Sequence, residues 1–292
     1  MWTGCLTALI TPFGADGAID YDALGALVEA QIAGGVQGLV PCGSTGEAAT
    51  LTHDEHGAVV RAVIEMSRGR VPVIAGTGSN ATAEAIRLTR DAEAAGADGA
   101  LLISPYYNKP PQEGIYQHYA AVAAATKLPI LVYNIPGRTG SNIAPETLAR
   151  LARVPNVAGV KEASGSMDHV LATMAAAGPD FAVYSGDDGM TLPIMGAGGL
   201  GVISVTSNLI PERFTAFAAD LRAGRHEAAR AEAVALQPLI QALMTLEVNP
   251  IPIKTALALT GRCQESFRLP LVRMAPDRRE RLAEVLGAFG LR

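Results

Sequence analysis

The sequence predicts a closed (β/α)8 barrel, a TIM barrel, followed by a C-terminal helical extension. Three observations carry this prediction. Short apolar, β-branched runs alternate with longer Ala/Glu/Arg stretches of helical spacing, eight times within roughly the first 220 residues. The runs, among them GLVPC, VPVIAG and PILVYN, are apolar almost without interruption, as parallel strands covered by helices are. The first run leads into TPFGADG, whereas a doubly wound open sheet normally opens on a Gly-x-Gly-x-x-Gly turn.

Strands are expected at 4–10, 37–42, 71–75, 99–103, 129–133, 156–161, 181–185 and 200–205. Helices are expected at 20–34, 53–67, 81–96, 112–126, 144–153, 166–177 and 187–197. Several helices have clear punctuation. Thr52 with Glu55 three residues on reads as an N-cap with an acid in the first turn. Asn80, Thr82 and Glu84 open the third helix, and Pro145 with Glu146 open the fifth. Gly34–Gly35, Gly96 and Gly198–Gly199 suit helix ends. Beyond 211 strands stop, and helical stretches cover 211–223, 225–246, 252–260 and 277–289. The first of these belongs to the barrel, so residues 1–224 form the barrel and 225–292 a helical appendage punctuated by Pro250 and Pro252.

Composition excludes several classes of function. A net charge of −5 and the lack of a Lys/Arg cluster argue against nucleic-acid binding. No apolar run is long enough to span a membrane, and the N-terminus lacks the basic and apolar regions of a signal peptide. The three cysteines, Cys5, Cys42 and Cys263, are too far apart in sequence for a Cys-x-x-Cys metal site or a disulfide framework, and a cytoplasmic location is expected. A charged fraction of 17% favours an oligomer that hides part of the surface and fits an Ala-rich composition equally well.

In such a barrel, chemistry gathers where strands end. The second strand ends in Gly43-Ser44-Thr45-Gly46-Glu47, a turn able to offer N–H groups and hydroxyls to an oxyanion. The fourth ends in Tyr106-Tyr107, which diverge if the chain there is extended. The fifth ends in Tyr133, a phenol able to carry a proton, with Arg138 five residues later able to hold a carboxylate. The sixth ends in Lys161. Of the four lysines only this one closes an apolar strand, and Gly159 on the same face leaves room beneath it. An amine in that position loses hydration, which lowers its pKa and leaves it neutral, as imine formation requires. Asp187 and Asp188 end the seventh strand. Adjacent acids suit a helix start, and no set of His and carboxylates joins them as metal ligands.

These strand ends fall in stretches that resemble the dihydrodipicolinate synthase / N-acetylneuraminate lyase family. The stretches are GSTGEAATLTHDEH (43–56), PVIAGTGSNATAEAI (72–86), SPYYNKPPQEGIYQHY (104–119), YNIPGRTG (133–140), VKEASG (160–165), SGDD (185–188), GGLGVISVTSN (198–208) and NPIPIK (249–254). The resemblance runs over essentially the whole chain. It implies a Schiff base between pyruvate and Lys161, with Tyr133 transferring protons. Thr45 and Tyr107 relay them, Tyr107 coming from a second subunit, and Ser44 keeps a further hydroxyl in the turn. Thr45 also meets the pyruvate carboxylate, Gly186 and Ile203 line the pocket, and Arg138 receives the carboxylate of the second substrate. That substrate is implied to be L-aspartate 4-semialdehyde, in the diaminopimelate route to lysine. A related reaction on N-acetylneuraminate or a 2-keto-3-deoxy sugar acid is the alternative, for Gly-Ser-Thr-Gly-Glu is common in the lyase branch. No cofactor or metal is implied. A homotetramer built as a dimer of dimers is, and so is inhibition by L-lysine bound near Ala49, His53, His56, Asn80, Glu84 and Tyr106.

Overall fold

The computed structural model describes residues 1–291. Eight parallel strands run β1 (Gly4–Ala8), β2 (Gly38–Val40), β3 (Ile74–Gly76), β4 (Gly99–Ile103), β5 (Ile130–Asn134), β6 (Val157–Glu162), β7 (Ala182–Ser185) and β8 (Gly201–Ser204). Consecutive strands pair from β3 through β8, and β1 pairs with both β2 and β8. The seam between β2 and β3 is closed by a Leu39–Val73 bridge and by N–H···O bonds from Leu39 to Pro72 and from Gly76 to Pro41, each 2.9 Å. The barrel is therefore complete. Two strands are shorter than their apolar runs because prolines interrupt them: Pro41 cannot continue the ladder after β2, and Pro72 precedes β3.

Helices α1 (Tyr21–Ala33), α2 (His53–Ser67), α3 (Thr82–Ala95) and α4 (Gln112–Ala124) cover the first half of the barrel. Thr52 caps α2 as expected: its hydroxyl accepts from Glu55 N at 3.2 Å and the Glu55 carboxylate accepts from Thr52 N at 2.8 Å. Asn80 does not cap α3. Its side chain donates to the main-chain carbonyl of Tyr106 at 3.2 Å, and the Ser79 hydroxyl accepts from Ala81 N at 3.0 Å. A one-turn helix absent from the expectation, α5 (Pro136–Thr139), carries Arg138. It starts on Pro136 and ends on Gly140 at φ +74°, the pairing of residues that suits so short a helix. After α6 (Pro145–Leu151) and α7 (Met167–Ala177), α8 (Thr191–Gly196) begins later than expected. Asp187 caps a 3-10 turn over Asp188–Met190, and Asp188 turns inward, so neither acid starts the α-helix itself.

The chain ends in α9 (Pro211–Arg222), α10 (His226–Thr245), α11 (Ile251–Leu259) and α12 (Pro276–Ala288). Leu236 and Leu239 of α10, Ile253 and Leu257 of α11 and Leu282 of α12 share one core with Cys5, Val202 and Phe214 of the barrel. The last three helices thus close against the β1–β8 side, and Arg268 between α11 and α12 clamps back onto Glu55 of α2 at 2.6 and 2.8 Å. That guanidinium holds the Glu55 carboxyl at about 2, well below the usual carboxylate range.

Candidate active site

The barrel interior is filled by Leu6, Ala8, Val40, Ile74, Leu101, Leu131, Tyr133, Ala182, Tyr184 and Ile203. Strand register places Lys161 opposite Tyr133 on one side and Tyr184 on the other. Lys161 is 4% exposed, and its Nζ lies 4.3 Å from the centroid of the Tyr133 ring. Burial is the main reason its pKa falls to about 8; Asp188 opposes the fall and Arg138 adds to it. Burial likewise pushes the Tyr133 phenol up to about 12, against a smaller lowering by Arg138. The pair is thus an amine with an accessible neutral form beside a phenol that keeps its proton.

Of the two glycines nearby, Gly186 makes room for the amine and Gly159, contrary to expectation, does not. A Cβ on Gly186 would stand 2.9 Å from Lys161 Cγ and 2.9 Å from Ala163 Cβ. A Cβ on Gly159 would stand 2.3 Å from the Ala182 carbonyl oxygen. Gly159 therefore serves the close approach of β7 to β6, and the space it leaves is taken by Ala182.

Above this row, the turn after β2 brings in Ser44 and Thr45. Thr45 is buried, and its Oγ1 accepts from Asn249 Nδ2 at 3.0 Å. The main-chain oxygen of Asn249 in turn accepts from Arg138 Nη2 at 2.8 Å. Local sequence gives no warning of Asn249, which reaches Thr45 across 204 positions, although it begins the NPIPIK stretch. The same stretch supplies a second surprise. Lys254 is completely buried and pairs with Glu47, also buried, two residues after Thr45. The Lys254 ammonium lies 4.2 Å from the Phe13 ring centroid and 5.1 Å from that of Phe267. Burial lowers its pKa while Glu47 opposes that.

Asp188 was expected only to help start a helix. Its Oδ2 accepts from Val205 N at 3.1 Å and Thr206 N at 2.7 Å, tying the end of β7 to the exit of β8. At the ends of β5 and β6, Asn134 donates to the buried Glu162 carboxylate at 3.1 and 3.3 Å, and Ser164 N does so at 2.7 Å. His169 faces the same carboxylate at 3.4 Å. This network braces the two residues that follow Tyr133 and Lys161 in the chain.

A cavity of about 490 Å³ opens over the site. Ser44, Tyr133, Arg138 and Asn249 line one part of it, and Ala49, His53, His56, Glu84 and Tyr106 line another. In that second part, His53 Nε2 lies 2.5 Å from Glu84, which also accepts from Ser79. His56 is buried with its Nε2 2.8 Å from the Gly76 carbonyl oxygen, and burial lowers its pKa. The two histidines therefore differ: His53 is an exposed neighbour of Glu84 and His56 is packed into the wall. Asn80 borders this region through Tyr106 without lining the cavity. Gly186 lies against the Lys161 side chain and Ile203 belongs to the barrel interior, and neither lines the cavity. Tyr107 is not brought to the site of its own chain. Its backbone is left-handed at φ +72°, so Tyr106 and Tyr107 do not alternate as on an extended strand, and its side chain is 87% exposed. Among the described residues, no group of three or more His, Cys, Asp or Glu side chains is arranged to hold a metal ion.

Known proteins share this arrangement over its full length. The family model described as "Dihydrodipicolinate synthetase family" matches residues 1–289. A protein of Nitratidesulfovibrio vulgaris (strain DP4) named 4-hydroxy-tetrahydrodipicolinate synthase is 52% identical over 291 residues, covering 99% of each chain. A crystal structure of the chloride-inhibited dihydrodipicolinate synthase from Acinetobacter baumannii complexed with pyruvate superposes with a TM-score of 0.98 at 42% identity, covering 100% of both chains. A structure of the enzyme from Cyanidioschyzon merolae with lysine bound superposes with a TM-score of 0.96 at 40% identity, covering 100% of this chain and 99% of that one. A whole-chain family match, half-identical relatives and a barrel with a buried strand-end lysine agree, and the chain belongs to the dihydrodipicolinate synthetase family.

Proposed function

We propose that the chain condenses pyruvate with L-aspartate 4-semialdehyde through a Schiff base on Lys161, the reaction named for its relatives. The neutral Nζ adds to the C2 carbonyl of pyruvate, and loss of water gives an iminium. Loss of a proton from C3 gives an enamine, whose C3 forms the new bond to the aldehyde carbon while the aldehyde oxygen gains a proton. The amino group of the second substrate then adds to C2 and expels the Lys161 amine, closing the ring. Tyr133 carries protons, and the hydroxyls of Thr45 and Ser44 and a Tyr107 from a second copy of the chain extend the path. Thr45 meets the pyruvate carboxylate, Gly186 and Ile203 shape the space around the imine, and Arg138 holds the carboxylate of the second substrate. The enzyme's task is to hold two anions beside a developing cation. The barrel, 1–224, carries this chemistry, and the appendage, 225–292, braces it.

The observation that carries the reading is a buried amine with its pKa lowered to about 8, its Nζ 4.3 Å from the ring centroid of a phenol that keeps its proton. The test has two arms. Borohydride with pyruvate should mark Lys161, and the protein should consume pyruvate with L-aspartate 4-semialdehyde while leaving N-acetylneuraminate and 2-keto-3-deoxy sugar acids uncleaved. No adduct on Lys161, or sugar-acid cleavage without condensation, overturns it.

The reading includes assembly as a homotetramer, a dimer of tight dimers, supported by the exposure of Tyr107. Co-expressed Tyr107→Phe and Lys161→Ala chains should recover activity that neither has alone. It includes inhibition by L-lysine, whose ammonium would join Glu84 beside His53 and whose carboxylate and amine would meet Asn80 and Tyr106. Millimolar or lower L-lysine should slow the reaction, and a flat rate across that titration would sink the idea. A cytoplasmic location is part of the same reading, supported by three unpaired cysteines. No helix among the described residues is long and apolar enough to cross a membrane.

A further inference from the structure

We propose that Asn249 is a positioning residue that sets the direction of the Thr45 hydroxyl, a role that rests on the reading of Thr45 and Arg138 above. A threonine hydroxyl has one proton to give and two lone pairs to receive. Asn249 Nδ2 fills one lone pair of Thr45 Oγ1 at 3.0 Å. The hydroxyl proton is therefore turned away from Asn249, and Thr45 Oγ1 donates to no other group among the described residues. Its only proton is left for a group beyond that bond, and the turn carrying it borders, through Ser44 and Glu47, the cavity that Tyr133 also lines. A relay needs that polarity; a freely rotating hydroxyl would present it only part of the time.

The geometry has two further parts. Asn249 is 8% exposed, and its segment is fixed to the Thr45 turn twice, by its own amide and by the buried Lys254–Glu47 pair. Glu47 holds a left-handed backbone at φ +53°, so the turn arrives at the pair in one conformation. Asn249 also divides its work: the side chain serves Thr45, and the main-chain oxygen serves Arg138 at 2.8 Å. Changing the side chain should therefore disturb the proton path and leave the second substrate's arginine anchored.

The experiment compares wild type, Asn249→Ala and Asn249→Asp. Alanine removes the donor. Aspartate keeps the shape but its carboxylate only accepts, so it draws the Thr45 proton toward itself. Both variants should still be trapped on Lys161 by borohydride with pyruvate. Asn249→Ala should lose about tenfold in kcat and Asn249→Asp more, since positioned proton transfer typically contributes about 10² to 10⁴. KM for L-aspartate 4-semialdehyde should stay within about twofold, as expected when the lost interaction acts on the step and not on binding. Adding Thr45→Val to either variant should cost no more than Thr45→Val alone, because the two residues act through one hydroxyl. Should Asn249→Ala not fold, the isosteric Asn249→Asp carries the same comparisons. Wild-type kcat in both variants, a KM that rises in step with the loss of kcat, or losses that add to those of Thr45→Val would overturn the proposal. A wild type that forms no adduct would overturn the underlying Schiff-base reading instead, and that outcome is separately visible.

Discussion

The rate at which Lys161 captures pyruvate should follow the titration of one depressed amine. Its pKa is lowered from 10.5 to about 8. At pH 7 that leaves about one amine in ten neutral, against about one in 3,000 for an ordinary lysine, a gain of about 300-fold in nucleophile. The sign follows directly: protonation removes the nucleophile, so capture falls as pH drops through 8. Stopped-time borohydride trapping with limiting pyruvate, followed by mass analysis of the Lys161 peptide, reads the rate at each pH. Between pH 6 and 8 the rate should climb about 50-fold, and between pH 8 and 9.5 by only about twofold, because half the amine is already neutral. An ordinary lysine would rise about 30-fold over that second interval. Arg138→Leu removes a cation that helps to lower the pKa, so its plateau should move to higher pH. A rate that still grows about fivefold between pH 9.5 and 10.5, as an ordinary lysine's would, would refute the claim that burial activates the amine.

Two other perturbations test the supports of the site. Gly186→Ala puts a methyl 2.9 Å from both Lys161 Cγ and Ala163 Cβ; overpacking of this kind costs about 1–3 kcal/mol and should displace the lysine, cutting the adduct rate at least tenfold, whereas a wild-type melting curve and rate would show that the glycine is dispensable. Lys254→Met leaves the carboxylate of Glu47 buried without its cation, at a cost of about 3–5 kcal/mol, while Glu47→Leu with Lys254→Met should recover most of it. Denaturant midpoints at constant slope check both, and equal stability of Lys254→Met and wild type would mean that the pair contributes nothing.

How far the sequence reaches depends on distance along the chain. The strands, the cap at Thr52 and the isolation of Lys161 among four lysines are local or periodic features, and they survive folding nearly unchanged. Lys161 meets Tyr133 because both end neighbouring strands of a barrel, a geometric rule that needs no side-chain detail. Asn249 and Lys254 obey no such rule. Their partners lie 204 and 207 positions away, and locally they sit in a Pro-Ile-Pro stretch that reads only as punctuation. Nothing near Lys254 in sequence announces Glu47 or the rings of Phe13 and Phe267. Tyr107 was misleading for a backbone reason: a left-handed residue cancels the alternation from which side-chain direction is inferred.

Asp188 exposes the compromise inside the site. Burial helps the free amine stay neutral, but the iminium formed next is cationic, and the same burial disfavours it. A carboxylate nearby works the other way: Asp188 raises the pKa of Lys161 and should stabilise the iminium for the same electrostatic reason. Its burial raises its own pKa, while the N–H groups of Val205 and Thr206 favour its charged form. Asp188→Asn keeps an oxygen to accept those two bonds and removes the charge. The plateau of the capture rate should then move below pH 8, with more neutral amine at pH 7. Yet at equilibrium the pyruvate concentration needed to trap half of Lys161 should rise, because the cationic adduct has lost its counter-charge. Those two shifts oppose each other in their effect on the enzyme, which is what separates an electrostatic role from a loosened β8. Loosening would slow capture and weaken the adduct together, and that result would remove Asp188 from the account.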